Sequence, residues 1–112
     1  MLNDLDVGFY KGEFKKKLLM HNAAVNKILG LSESISLVGC KSSQFFVNAS
    51  DQKKYYKNLL ENGYVRNFNS QIKNPDGKLI NIQLNSHLIR DDKGNPKEVE
   101  GTVIKLTNNI KN

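Results

Sequence analysis

The sequence predicts an α+β domain in which an antiparallel sheet is covered on one face by helices. Three observations carry this. Two turn signals, Asn74-Pro75-Asp76-Gly77 and Asp91-Asp92-Lys93-Gly94-Asn95-Pro96, divide the last third of the chain into runs 65–73, 78–90 and 98–107. Gly and Asn tolerate positive φ and Pro presets its own, so these steps favour tight reversals and the runs read as a three-stranded meander. A helical stripe over 51–62, closed by Gly63, precedes them. Finally, a sheet has to bury at least one face, and the first half of the chain must supply the cover.

Each element has a local reason. Residues 7–14 hold Phe9, Tyr10 and Phe14 with two glycines, which suits a strand that bends or packs closely. Lys15 to His21 contains Leu18-Leu19-Met20 and reads as a second strand. Asn22 then caps a short helix through its side chain. Val25, Ile28 and Leu29 fall at i, i+3 and i+4 along it, and Gly30 offers a left-handed stop. Residues 31–50 are Ser-rich and weakly periodic, with one or two helical turns anchored by Phe45, Phe46 and Val47. The helix over 51–62, capped by Ser50 or Asp51, turns Tyr55, Tyr56, Leu59 and Leu60 to one side and Gln52, Lys53, Lys57 and Glu61 to the other. The order is β-β-α, one or two short helical turns, then α-β-β-β.

Composition bounds the function. The 112 residues form one domain, 1–112, with a core over about 5–107 and a tail or cut linker at 108–112. No apolar run approaches the ~20 residues of a membrane span, so no membrane partner is expected. The start, Met1 to Asp6, is acidic and lacks a signal-peptide pattern. A single cysteine, Cys40, permits no internal disulfide, and a reducing cytoplasm is the expected setting. The net charge of +6 raises nucleic acid or a membrane surface as a partner, but only Arg66 and Arg90 are arginines, and the lysines are spread along the chain. Specific readers of nucleic acid lean on Arg for bidentate contacts, so this partner is disfavoured.

At this point the residues match a family. Asn22-Ala23-Ala24 through Ile28-Leu29-Gly30, Val38-Gly39 followed by Phe45-Phe46 and Asp51, the Asn74-Pro75-Asp76-Gly77-Lys78 hairpin, Ile89-Arg90-Asp91-Asp92-Lys93-Gly94-Asn95 and Glu100-Gly101-Thr102-Val103 resemble, in order and spacing, the phrases of PAS sensory domains. The resemblance spans about residues 5–107. It implies a five-stranded antiparallel sheet of order 2-1-5-4-3 with helices on one face. It also implies a sensory input module of a larger regulator, a histidine kinase above all, working through a small ligand or through dimerisation. A ligand-free interaction module and a weak nucleic-acid binder are the alternatives.

Neither haem nor flavin is expected. The light-sensing relatives carry their reactive Cys in an Asn-Cys-Arg-Phe-Leu-Gln phrase, whereas here Gly39-Cys40-Lys41-Ser42-Ser43-Gln44 stands alone. Helix 51–62 holds no axial His, and His21 and His87 have no partner cluster. No Ser-His-Asp logic or phosphate loop is present, so no enzyme and no metal site is expected.

The fourth strand allows two readings. Periodicity alone turns Ile80, Ile82, Leu84, Ser86 and Leu88 to the core and Asn81, Gln83, Asn85 and His87 to water. Under it a cavity on the helical side is mostly filled by Phe9, Phe45, Leu59, Leu60 and the isoleucines. The alignment implied by the resemblance does the opposite. It points Asn81, Gln83 and Asn85 into a pocket beside Phe68, Ser70, Ile72, Val99, Gly101 and Val103. Ile80, Ile82, Leu84, Ile104 and Leu106 then make an apolar outer face for a homodimer. A small organic ligand fits the second pocket. At the carboxy end, Lys105-Leu106-Thr107 stands where the family often has Asp-Ile-Thr, so the usual coupling by that carboxylate is in doubt.

Overall fold

The meander forms where the turn signals placed it, and two further strands complete the sheet. The structure is a computed structural model that describes residues 6–106. The expected tail at 108–112, Thr107 and the acidic start before Asp6 lie outside the described residues. Strands β1 (Val7–Glu13) and β2 (Leu18–His21) lead into helix α1 (Ala23–Leu29). A 3₁₀ turn (Ser42–Phe45) and helix α2 (Ala49–Asn62) follow, then β3 (Tyr64–Lys73), β4 (Leu79–Arg90) and β5 (Pro96–Lys105). The sheet runs in the order β2-β1-β5-β4-β3, and every neighbouring pair is antiparallel.

Two helix starts differ from expectation. Asn48, not Ser50 or Asp51, caps α2: its Oδ1 accepts the backbone N–H of Ser50 at 2.9 Å and of Asp51 at 3.4 Å. Asn22 makes no side-chain cap on α1. Its amide instead accepts from Phe9 N at 2.9 Å and donates to Val7 O at 3.2 Å. A short helix beside an unpaired strand edge offered that side chain two partners at once, and the edge won. Both helices end at a left-handed glycine, Gly30 and Gly63, as expected.

The register of β3 on β4 decides which face of β4 is buried. Phe68 pairs Leu84, Ser70 pairs Ile82 and Ile72 pairs Ile80. Directly opposed residues share a face. Phe68, Ser70 and Ile72 therefore cannot face the helices unless Ile80, Ile82 and Leu84 do so too, and all three are buried. This overturns the inward placement of Asn81, Gln83 and Asn85 and the outer placement of Ile80, Ile82 and Leu84. The amides stand on the outer face and are satisfied there. Gln71 donates to Asn81 at 2.9 Å, Gln83 to Asn69 at 3.0 Å, and Asn67 N to Asn85 Oδ1 at 2.9 Å.

The helical layer closes on the sheet at Gly8. A Cβ there would meet Val25 at 2.8 Å and Val103 at 2.7 Å, so only a glycine lets α1 approach β1 this closely. Residues 37–47 then strap the layer from one sheet edge to the other. At the β2 end Gly39 N donates to Leu18 O at 2.8 Å and Leu18 N to Cys40 O at 2.9 Å. At the β3 end Phe46 bridges Ile72. Leu37 is buried under the strap, its N–H given to His21 Nε2 at 2.9 Å. Val47, expected as a buried anchor, is exposed; its backbone N–H follows the β3 edge, donating to Gln71 O at 3.4 Å.

The β3–β4 turn carries a tether that its turn chemistry alone does not reveal. Asn74 is buried; its Oδ1 accepts from Asp76 N and Lys78 N, both at 2.9 Å, and its Nδ2 donates to Leu29 O at 3.0 Å. One side chain thus shapes the hairpin and holds the end of α1. Asn74→Ala is expected to lower stability by about 2 kcal/mol, since it orphans groups shielded from water. A urea titration measures this, and a change under about 0.5 kcal/mol would refute the tether.

Candidate functional site

A cavity of about 120 Å³ lies between the sheet and the helical layer. Its floor comes from Ile82 and Leu84 of β4, Val99 and Val103 of β5 and Ile72 of β3. Val25, Ile28 and Leu29 of α1, Tyr55 and Tyr56 of α2 and Leu37 of the strap form the roof. The wall is almost wholly carbon. Glu13 at the end of β1, Lys15 of the β1–β2 turn, and Ser42 and Phe45 of the strap are lining residues that reach solvent, and they mark its mouth. Lys15 holds its ammonium 5.5 Å from the ring centres of both Phe14 and Tyr56. At an exposed site such cation–π contacts contribute only about 0.5–1 kcal/mol, so this side chain is easily displaced.

One polar feature borders the cavity. The hydroxyls of Tyr10, Tyr55 and Ser86 form a closed triangle: Tyr55 donates to Ser86 at 2.8 Å, the two phenols are 3.1 Å apart, and Tyr10 bonds Ser86. Gly101 makes this possible. It sits on β5 opposite both Tyr10 of β1 and Ser86 of β4, and its missing side chain lets the Tyr10 ring cross it. Phe46 and Phe68 pack against Tyr55 at 5.4 and 5.6 Å between ring centres.

Burial raises the Tyr10 and Tyr55 phenols above the ordinary 10.0, Tyr55 well above it. The sign follows: unfolded tyrosine ionises first, so the contribution is complete below pH 10 and is lost as pH rises through the folded values. Tyr55→Phe is expected to cost about 1 kcal/mol at neutral pH, the net worth of a hydrogen bond. The gap to the parent should narrow above pH 10, where only the parent's unfolded state gains from ionising this phenol. Urea midpoints across that range check it; parallel curves would deny the phenol any part in the linkage.

The residues read from the sequence divide in three. Phe45, Ile72, Val99 and Val103 line the cavity. Leu59 of α2 and Phe68 and Ser70 of β3 lie between helix and sheet without reaching the cavity wall. Leu59 is fully buried, and Ser70 donates to Asp51 Oδ2 at 2.8 Å, tying α2 to β3. Phe9, Asn81, Gln83, Asn85 and Leu60 lie elsewhere. Phe9 alternates with the inward Gly8 and Tyr10 and so faces outward with the three amides, and Leu60 is exposed at the rim of α2. Tyr10, Tyr55 and Tyr56 were among the lining residues missed, whereas Ile82 and Leu84 are placed as the period-2 alternation of β4 had them.

Among the described residues no three His, Cys, Asp or Glu side chains gather as a metal site, and no helix is long and apolar enough to cross a membrane. Half-buried Cys40 has a free thiol.

A five-stranded antiparallel sheet of this order, with helices and a cavity on one face, is the architecture of sensory PAS modules. The chain has the PAS fold. It superposes on a PAS domain from Colwellia psychrerythraea with a TM-score of 0.73 at 12% identity, over 90% of this chain and 86% of that one. The Drosophila melanogaster Cycle PAS-B domain, a variant with bound glycerol, gives a TM-score of 0.74 at 11% identity, over 88% and 99%. A sensory box histidine kinase/response regulator from Burkholderia thailandensis gives 0.68 at 14% identity, over 95% and 81%. No protein-family model matches the sequence. No curated protein matches it either.

Proposed function

We propose that the chain is the input module of a signalling protein, in which occupancy of the cavity changes how the sheet engages an output partner. The observation that carries this is the cavity itself: an apolar void with a mouth, under a strap and two helices. Interiors are otherwise packed to crystal-like density, so a void of this size is a place for an occupant. The fold shared with a sensory box histidine kinase supports an attached output of that kind. The cavity is well below the roughly 300–1,000 Å³ of drug-sized ligand sites, which favours a small organic occupant over haem or flavin.

Native mass spectrometry of protein purified without denaturation, beside the variant Val99→Leu, tests this. Val99 stands opposite Gly12 on β1, so the larger side chain has room to extend into the void. Capture of a small molecule by the parent and its loss from the variant is the expected result. Capture of nothing from any cell extract would reject sensing by this cavity.

A second reading rests on the outer face. Val7 and Met20 are exposed there, and Val7 pairs Ile104 and Phe9 pairs Thr102, making an apolar stripe beside the amides. This stripe, not Ile80, Ile82 and Leu84, is the surface on which a ligand-free dimerisation module would pair. Light scattering of the Ile104→Glu variant described below decides it.

A further inference from the structure

Resting on the reading of the cavity as a sensor site, we infer that its occupant is a neutral, hydrocarbon-rich molecule of about one ring in size. Three observations define this class. The first is volume. Apolar cavities of about 150 Å³ take benzene, and 120 Å³ is close to that limit. Two fused rings with substituents do not fit without opening the strap.

The second is charge. Among the described residues no buried cation or anion lines the cavity, and the two charged residues at its mouth, Glu13 and Lys15, have opposite signs. An ionised ligand drawn inside would lose its hydration with no counter-charge to replace it.

The third is hydrogen bonding. Tyr55 donates to Ser86, and the closed triangle leaves Ser86 to donate to Tyr10 and Tyr10 to Tyr55, so each hydroxyl spends its one proton inside the ring. Each oxygen keeps one lone pair. What the triangle offers the cavity is therefore acceptor capacity. A single O–H or N–H on the ligand can be met there, whereas a carbonyl or carboxylate finds no free donor in the triangle unless it breaks, and has to turn away from it toward Tyr56 or toward Lys15 at the mouth. Leaving such a group unmet costs roughly 1–3 kcal/mol, or about 10–100-fold in affinity.

Benzene, phenol and benzoate at pH 7 are matched probes of this class. With the isoleucine methyls labelled, benzene and phenol are expected to shift the NMR signals of Ile28, Ile72 and Ile82, which line the cavity. Ile89 and Ile104, on the outer side of the sheet, should stay unmoved. Benzoate should bind at least about 100-fold more weakly. Val99→Leu and Leu37→Phe, which fill the void from the sheet and from the strap, should each weaken benzene about tenfold or more. Either variant suffices if the other fails to fold. Benzoate binding as tightly as benzene at the lining methyls would overturn the neutral class while leaving a sensing cavity in place. Lining methyls that respond to none of the three, nor to any of a wide panel of small polar molecules, would overturn the cavity reading itself.

Discussion

Gly101→Ala is expected to destabilise the domain by about 3 kcal/mol, at or beyond the usual range for overpacking. The new Cβ would stand 2.2 Å from Asn85 O, 2.7 Å from Ser86 Cα and 2.8 Å from Ser86 Oγ. Two of these neighbours are backbone or bonded to it, so no side-chain rotation relieves the clash. Neighbouring strands lie about 4.8 Å apart, and Tyr10 has to reach across two such spacings to bond Ser86. It can do so only over a residue without a side chain. The variant therefore forces β4 away from β5 and breaks the hydroxyl triangle in one step. For a domain holding about 5–15 kcal/mol in total, such a loss should be plain in a urea titration followed by circular dichroism. Thr102→Ala, one residue on and facing outward, is the control, with an expected change under about 0.5 kcal/mol. Equal midpoints for the two variants would show that the close approach at Gly101 carries no weight.

The second large effect separates the two faces of the sheet. Ile82→Glu is expected to unfold the domain, and Ile104→Glu to leave it folded. Ile82 is 1% exposed at the centre of β4, against the cavity floor. Removing that side chain alone costs about 2–5 kcal/mol, and a carboxylate in its place has no cation to meet. The sum reaches the whole stability of a small domain. Ile104 is half-buried on the outer face, opposite Val7 and Gln83, where a Glu side chain can reach water. Circular dichroism with size-exclusion light scattering reads both results. A folded Ile82→Glu protein would contradict the burial of that face. Should Ile104→Glu remain folded and convert a dimer to a monomer, the outer stripe is the pairing surface; an unchanged dimer places pairing elsewhere.

Much of the architecture was legible in the chain, for reasons that are local. Asp-Gly and Lys-Gly steps set the hairpins, and Asp91 shows the chemistry at work. The backbone N–H groups of Asn95 and Lys93, each 2.9 Å from its Oδ1, hold that carboxyl below the usual range. The 25, 28, 29 stripe of α1 is buried as its spacing predicts. The family resemblance added the strand order, which no local pattern contains.

The site was less legible. The alternation in β4 pointed to the buried isoleucine face, and the alignment to relatives pointed away from it. Their disagreement is a shift by one residue, which in a strand exchanges the two faces completely. Asn81, Gln83 and Asn85 were thereby placed in a pocket, where amides would need partners; on the outer face they pair with neighbours across the strands. Tyr10 and Tyr55 were seen only as aromatic bulk. Nothing near either residue in sequence announces a bond to Ser86, 76 and 31 positions away.

The sequence by itself determined the elements, their turns and the stripe each helix buries, because propensity, turn chemistry and periodicity act within a few residues. Only the tertiary structure decided which face of β4 meets the helices, how the strap closes over them, and that a small void bordered by three hydroxyls remains. Those outcomes depend on register and on close approach at Gly8 and Gly101, which are properties of strands and helices brought together across the whole chain.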